Sequence, residues 1–342
     1  MSADLPSIPL SVLDLVPVER GSTAQAAVAS TLETAAAADE VGLTRFWITE
    51  HHNMAGIAST TPAVLLAAVG AATQRIRLGS GGVMLPNHPP LIVSETFSTL
   101  ATLYPDRIDV GVGRAPGTDQ ETAIALRRTA TERFAEDLVD LLGYLHVDGH
   151  GTDAVVAYPR SDQRPTPWLL GSSINSARLA AKLGLPYAFA QHFFGATGAQ
   201  SAIAAYRTEF RSGPFLKDPY VLATVHVVCG DSDDHAQRLA LPAAIAAMPG
   251  LQEPGAQFLD PSEASRRVRE FRSEDAIAKL WQAQAIGASP KVRDRLKDII
   301  TQLNPDELMI TNNITDGAEK IASLRRVRDL FGPAALPRGL AQ

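Results

Sequence analysis

The residues best suited to chemistry in this sequence form one short stretch, Glu50, His51, His52 and Asn53, which follows an apolar run ending at Ile48. A neutral imidazole can accept or donate a proton near pH 7, so adjacent histidines suit acid–base work. In α/β enzymes, catalytic side chains commonly follow the carboxyl end of a buried strand, at the edge of the sheet. The stretch therefore predicts one wall of an active site.

Short β-branched segments alternate with alanine-rich helical segments along the chain. This pattern predicts eight strands, at residues 8–15, 44–49, 76–85, 107–113, 168–171, 187–190, 220–229 and 308–311. Helices are predicted between them, at residues 24–40, 62–73, 91–104, 119–145, 176–183, 198–210, 234–248, 290–303 and 317–330, with further helix up to residue 284. Strict alternation of strand and helix indicates a parallel sheet, and eight such units predict an α/β fold of the (β/α)8 TIM barrel type.

We predict a single barrel domain over residues 1–342, with insertions near residues 149–164 and 241–288, the second of them before the last strand. Such a barrel needs about 250 residues, and the rest of the chain supplies the insertions. The larger insertion is either a lid or a dimer or packing element. A doubly wound open sheet is the competing architecture, disfavoured because the turn at residues 16–21 lacks the glycine-rich dinucleotide motif.

Composition and charge exclude several classes of protein. The chain has 342 residues, 45% of them hydrophobic, which is enough to bury a large core. The net charge of −6 and the absence of a Lys and Arg cluster argue against nucleic-acid binding. No leader or membrane-spanning segment is predicted, so we expect a cytoplasmic protein. The single cysteine, Cys229, rules out an internal disulfide.

Polar side chains follow the other predicted strands as well. Asn87 and His88 follow the third strand, Arg114 the fourth, Ser172 and Ser173 the fifth, and His192 the sixth. Functional groups of a TIM barrel lie at the carboxyl ends of its strands, and this distribution matches that rule. The barrel therefore predicts that these side chains share one rim with His51.

Three motifs in the chain resemble those of a known family. They are residues 50–53, residues 79–88 with the glycines Gly79, Gly81 and Gly82, and residues 107–117, which contain Arg114. Together they resemble the bacterial luciferase-like flavin-dependent monooxygenases, and most closely the single-chain luciferase-like oxidoreductases of unassigned substrate. The order and spacing of the motifs extend the resemblance over nearly the whole chain. The family's reactive cysteine is replaced here by Gly113.

The resemblance implies a phosphate site for FMN. Arg114 matches the residue that holds the terminal phosphate, and a guanidinium can form two parallel hydrogen bonds to such a group. Ser172, Ser173 and Ser176 match the other phosphate contacts, at the start of a helix whose amides and dipole favour an anion. The same residue types also serve in ordinary salt bridges and helix caps, and that interpretation stays open.

The resemblance also assigns the remaining site residues. The flavin ring would lie against Gly81 and Gly82, whose connecting peptide bond is the candidate for a non-prolyl cis bond; a plain strand bulge is the alternative. His51 matches the catalytic histidine beside the reactive edge of the flavin. Residues assigned to the substrate or to support of the site are Glu50, His52, Asn87, His88 and His192. Glu50 is expected either to orient a histidine or to pair with Arg45 or Arg75.

The implied reaction uses reduced FMN, supplied by a separate flavin reductase, and O2 to oxygenate a small organic substrate through a flavin C4a-hydroperoxide. The resemblance also implies a homodimer formed by the helices at residues 62–73 and 91–104. Three alternatives stay open: a deazaflavin-dependent oxidoreductase, a flavin-binding protein without turnover, and a metal-dependent barrel hydrolase. The last would need a His-x-His pattern on the first strand, which residues 11–15 lack, so no metal site is predicted.

Overall fold

The structure is a computed structural model that describes residues 5–126, 133–146, 155–160, 164–192 and 198–332. Its strands are β1 (Leu10–Asp14), β2 (Arg45–Ile48), β3 (Arg77–Ser80), β4 (Val83–Met84), β5 (Ile108–Gly113), β6 (Thr166–Gly171), β7 (Tyr187–Phe189), β8 (Val221–Gly230), β9 (Ala285–Ala288) and β10 (Glu307–Thr311). Its helices are α1 (Ala24–Glu40), α2 (Pro62–Ala72), α3 (Pro90–Leu103), α4 (Gln120–Ala125), α5 (Phe134–Leu145), α6 (Ile174–Leu183), α7 (Ala199–Glu209), α8 (Asp233–Ala247), α9 (Pro261–Phe271), α10 (Glu274–Trp281), α11 (Ser289–Leu303) and α12 (Gly317–Arg328).

Eight parallel strands close into a barrel. Their order around the ring is β1, β2, β3, β5, β6, β7, β8 and β10, and β10 pairs again with β1. The helices pack around this ring, so the predicted (β/α)8 TIM barrel is confirmed. In a ring of eight, β8 lies opposite β3, and β10 lies opposite β5.

Two short strands depart from the prediction of eight. The predicted strand at residues 76–85 is divided into β3 and β4, with Gly81 and Gly82 between the two parts. The second addition, β9, extends the sheet beside the last four residues of β8, outside the closed ring. It lies in the segment that we predicted as an insertion, where four small and apolar residues give little strand signal.

The larger predicted insertion contains a packed unit of helices. Helices α8, α9 and α10 share a hydrophobic cluster that includes Ile245, Leu251 and Leu259. Helix α8 begins at Asp233 and runs past residue 241, so the predicted insertion boundary falls inside a helix. The smaller predicted insertion, at residues 149–164, lies mostly outside the described residues.

A buried network of charges fills the amino-terminal end of the barrel. Arg45 Nη1 lies 2.6 Å from Asp109 Oδ2, and Arg45 Nε lies 3.0 Å from Glu307 Oε1. Burial alone would lower the pKa of Arg45, but the two carboxylates raise it above its usual value. Trp47 Nε1 and the Tyr220 hydroxyl donate to Asp109 and Glu307, respectively. This network closes the floor of the barrel and leaves the opposite end open.

Candidate active site

A cavity of about 810 Å³ opens at the carboxyl ends of the barrel strands. Such a volume lies in the range of small-molecule and cofactor sites. The predicted site residues that line it are His51, Gly81, Gly82, Arg114, Ser172, Ser173, Ser176 and His192. The structure therefore brings the predicted catalytic residue and all the predicted cofactor-binding residues into one cavity.

One end of this cavity presents a guanidinium and hydroxyl groups. Arg114 follows β5 and is exposed, and Ser172 and Ser173 follow β6 and are also exposed. Ser173 caps α6, with its hydroxyl accepting from the backbone N–H of Ser176, and the Ser176 side chain completes a capping box. The Ser176 hydroxyl also lies 2.9 Å from that of Tyr187. Positive charge, hydroxyls and the amino-terminal end of a helix together form a donor set suited to an anion.

The middle of the cavity has a wall of glycines. The Gly81–Gly82 peptide bond is cis, the form that the resemblance implied. A β-carbon on Gly81 would lie 2.4 Å from Leu13 Cδ1, and one on Gly82 would lie 2.8 Å from the Gly111 carbonyl oxygen. Side chains are therefore excluded from this wall, which leaves backbone facing the cavity.

His51 is held by the loop that follows β2. Its backbone N–H donates to the Ser59 carbonyl at 3.0 Å, and its Nδ1 lies 3.1 Å from Thr49 Oγ1. Burial lowers the pKa of His51 to about 4, outweighing the opposite effect of Glu50. The imidazole is therefore neutral at pH 7 and can accept a proton or share one with a ligand.

Glu50 supports the loops around the cavity and does not face it. Its buried carboxylate accepts from His52 Nε2 at 3.0 Å, from His88 Nε2 at 2.9 Å and from Asn87 Nδ2 at 3.0 Å. Burial would raise the pKa of Glu50, but these hydrogen bonds, led by that from His88, lower it. The backbone N–H of Met84 donates to the same carboxylate.

The structure distinguishes between the two expectations for Glu50. Glu50 orients two histidines, as one of the two expectations stated, but it pairs with neither Arg45 nor Arg75. Arg45 is taken by the floor network described above, and Arg75 Nη2 donates to the Asp39 carbonyl. Strand β2 explains this, because Arg45 lies at its first residue and Glu50 lies beyond its last, at opposite ends of the barrel.

The strand end also separates the two histidines of the motif. Strand β2 ends at Ile48, so strict alternation does not fix where His51 and His52 point. His51 faces the cavity, whereas His52 turns to Glu50. Neither His52 nor Glu50, Asn87 or His88 is among the residues that line the cavity.

A third region of the wall is polar, and sequence reasoning missed most of it. Thr224 and His226 on β8 lie beside Met309 and Thr311 on β10, and all four line the cavity. Burial lowers the pKa of His226, and also that of His192, to about 4. Thr224 and His226 are two residues apart on β8, as are Met309 and Thr311 on β10. This spacing was the available signal, because it puts each pair on one face of its strand.

The helices of the insertion cover one side of the cavity mouth. Ala243, Ala244 and Ala247 of α8 contribute to its lining, together with Leu280 and Gln284. The insertion therefore contributes to the cavity lining as well as forming a packed unit, and its interpretation as a lid stays a prediction.

The metal-dependent alternative would need a group of metal-ligating side chains. Within the described ranges, no three His, Cys, Asp or Glu side chains are grouped so that they could hold a metal ion. Nor does any helix in those ranges have the length and apolar character needed to cross a membrane.

Comparison with known proteins identifies the class. The family of luciferase-like monooxygenases matches residues 8–304, and this chain belongs to that family. A luciferase-like monooxygenase of Escherichia coli K12 is 36% identical over 335 residues, which cover 95% of this chain and 97% of the relative. Membership supports a monooxygenase of the flavin type.

Solved structures agree on the fold. The crystal structure of apo-MsnO8 matches with a TM-score of 0.86 and 34% identity, covering 94% of this chain and 98% of that one. The oxygenating constituent of 3,6-diketocamphane monooxygenase from Pseudomonas putida, solved with FMN, matches with a TM-score of 0.72 over 96% and 99% of the two chains. At 17% identity, this match shows a shared fold only.

Proposed function

We propose that this protein uses reduced FMN and O2 to oxygenate a small organic substrate. The observation that carries the proposal is the single cavity that combines an anion-binding end at Arg114, a glycine wall at Gly81 and Gly82, and the neutral histidine His51. These three features fit the three parts of FMN and its chemistry: a phosphate, a flat ring and a reactive edge.

Each group of residues would act on the cofactor or the substrate. Arg114 and the serines of the α6 turn, Ser172, Ser173 and Ser176, would bind the phosphate through charge-assisted hydrogen bonds. The backbone at Gly81 and Gly82 would support the ring, because no side chain intervenes. Bound there, reduced flavin would supply the activation of O2 at its C4a position.

His51 would be the catalytic residue. Its imidazole is neutral near pH 7 and faces the cavity, so it would accept or return a proton at the reactive edge of the flavin. Thr49 would fix the orientation of the His51 imidazole through its hydrogen bond to Nδ1 of that ring. Helix α8 and residues Leu280 and Gln284 would exclude water from above.

The protein's wider arrangement belongs to the same proposal. A separate flavin reductase would supply the reduced FMN that the proposed reaction consumes, as the family resemblance implies. Residues 1–342 would form one barrel domain in which the segment at 241–288 covers the site.

An anaerobic titration tests the cofactor. Reduced FMN, oxidised FMN and a reduced deazaflavin coenzyme are each titrated into the full chain, with binding followed by absorbance and fluorescence. We expect saturable one-to-one binding of FMN, tighter in the reduced form. Tighter binding of the deazaflavin would favour the hydride-transfer alternative, and no binding of any of the three would overturn the proposal.

A further inference from the structure

The cavity has a polar region that the binding of a flavin leaves unexplained. It consists of His226 on β8, Thr311 on β10 and Asn313 two residues later, all of which line the cavity. In the ring of strands, β8 and β10 lie opposite β3 and β5, which carry the glycine wall and Arg114. A cofactor held at Arg114 and Gly82 would therefore leave this region facing a second ligand.

Two polar atoms of this region are buried and have no hydrogen-bond partner among the described residues. They are Thr311 Oγ1 and Asn313 Oδ1, and the Thr311 side chain belongs to a residue only 3% exposed. A buried polar atom without a partner costs stability, so it normally has one. Since both residues line the cavity, a ligand in the cavity can supply the missing partners.

The same region carries no permanent charge. Burial keeps His226 and His192 neutral at pH 7, with the pKa of each lowered to about 4. Within the described part of the lining, the one side chain that is always charged is Arg114, at the opposite end. Apolar side chains also line the cavity beside Thr311, among them Leu13 on β1 and Met309 on β10. A charged group brought here would lose its hydration without gaining a fixed counter-ion.

We propose that His226, Thr311 and Asn313 bind the polar group of the substrate, and that this substrate is an uncharged organic molecule with an apolar body. The inference rests on the proposed function for the identity of the second ligand. Carbonyl, amide and hydroxyl groups fit the region, because Thr311 and a neutral imidazole each offer both a donor and an acceptor, and Asn313 offers a buried acceptor oxygen.

Pairs of compounds that differ only in charge test this proposal. The probes are carboxamides and the matching carboxylates with cyclohexyl, phenyl and n-hexyl bodies. Their dissociation constants are measured by ligand-observed NMR on the full chain at pH 7 with saturating oxidised FMN, so that the anion-binding end at Arg114 is occupied. At least one amide should bind at least about tenfold more tightly than its carboxylate. Equal or tighter binding of every carboxylate, or binding of no amide, would overturn the proposal.

Variants identify the residues involved. Thr311→Val keeps the shape of the side chain and removes the hydroxyl, so it should weaken amide binding by about 3- to 10-fold. Thr301→Val is the matched control, because Thr301 is exposed on α11, and it should leave amide binding unchanged. The melting temperature of ligand-free Thr311→Val should be unchanged or higher, because the lost hydroxyl had no partner.

A second variant, at Asn313, ensures that the test does not depend on Thr311 alone. Asn313→Leu should also weaken amide binding, and unchanged amide binding in both variants would overturn the assignment. Binding of FMN is measured on the same preparations. If FMN binds and the amides show no preference, the substrate inference fails alone; if FMN does not bind, the proposed function fails, whatever the probes do.

Discussion

At the scale of single residues, the site is divided between side chains that face the cavity and side chains that hold its loops. The sequence placed Glu50 and His52 together with His51, but only His51 reaches the cavity, whereas Glu50 binds His52 and His88. This division could not be read from the motif, because it depends on where β2 ends and on a loop more than thirty residues away, at His88.

The role of Arg114 predicts a loss of cofactor affinity. Arg114→Ala removes a charge-assisted contact to the phosphate, so the dissociation constant for FMN should rise about tenfold or more. Arg178→Ala on α6 is a suitable control, since Arg178 is exposed and pairs with Glu209. Fluorescence titration measures both variants. An Arg114→Ala protein that binds FMN as tightly as the wild type would contradict the phosphate assignment.

The buried His226 predicts a dependence of stability on acid. Its pKa is about 4 in the folded protein and about 6.5 in an unfolded chain. Between these values the unfolded chain binds a proton that the folded chain does not, so stability is present above pH 6.5 and is lost as the pH falls towards 4. The contribution of His226 to this loss is at most about 3 kcal/mol.

Thermal unfolding between pH 7 and pH 4.5 measures this effect. His226→Gln should reduce the acid-dependent fall in melting temperature, and His235→Asn, which lies outside the cavity lining, serves as the control. The same fall in His226→Gln as in the wild type would show that this histidine does not titrate as its burial requires.

At the scale of elements, regular segments were predicted well and irregular ones were not. Helix α1 spans residues 24–40, the range predicted from its alanine-rich pattern, and in the structure Thr23 caps its start. Strand β9 was missed, since a strand of four residues inside an insertion gives no period to detect. The polar wall on β8 and β10 was also missed, because neighbours across a sheet depend on register, which periodicity alone does not determine.

The position of α8 predicts that its inner face controls access. Ala243→Trp should fill the mouth of the cavity and slow the association of FMN several-fold, with little change in melting temperature because Ala243 is partly exposed. Ala246→Trp is the control on the same helix, since Ala246 is exposed and does not line the cavity. Stopped-flow fluorescence compares them. Equal association rates would show that α8 does not limit entry.

At the scale of the whole molecule, the closed barrel explains why the candidate site residues could be expected at one rim. Once eight strand and helix units are recognised, every strand end points to one rim, and His51, Arg114 and Ser172 must converge there. The sequence could not predict the shape of the cavity, because its walls also come from α8 and α10, which pack against each other rather than follow the barrel's repeat.

The exposed apolar side chains of α2 and α3 predict a homodimer. Val64 is 68% exposed and Leu103 is 58% exposed, and both lie on helices that we expect to form the interface. Replacing both by Asp should convert the dimer to a monomer of half the mass. Val139→Asp on α5, where Val139 is 53% exposed, is the control. Light scattering after size exclusion gives the masses; a monomeric wild-type protein would contradict the prediction.

The reaction of the reduced complex with O2 tests the central proposal most directly. The complex of the protein with reduced FMN is prepared anaerobically and then mixed with oxygenated buffer. Rapid-scan absorbance is recorded for the wild type and for His51→Ala, a variant that should still bind the flavin. We expect the wild type to lose the reduced-flavin spectrum before oxidised FMN appears, with this delay shortened in His51→Ala. Oxidised FMN that appears at once, at the rate of unbound reduced FMN in both proteins, would contradict the account.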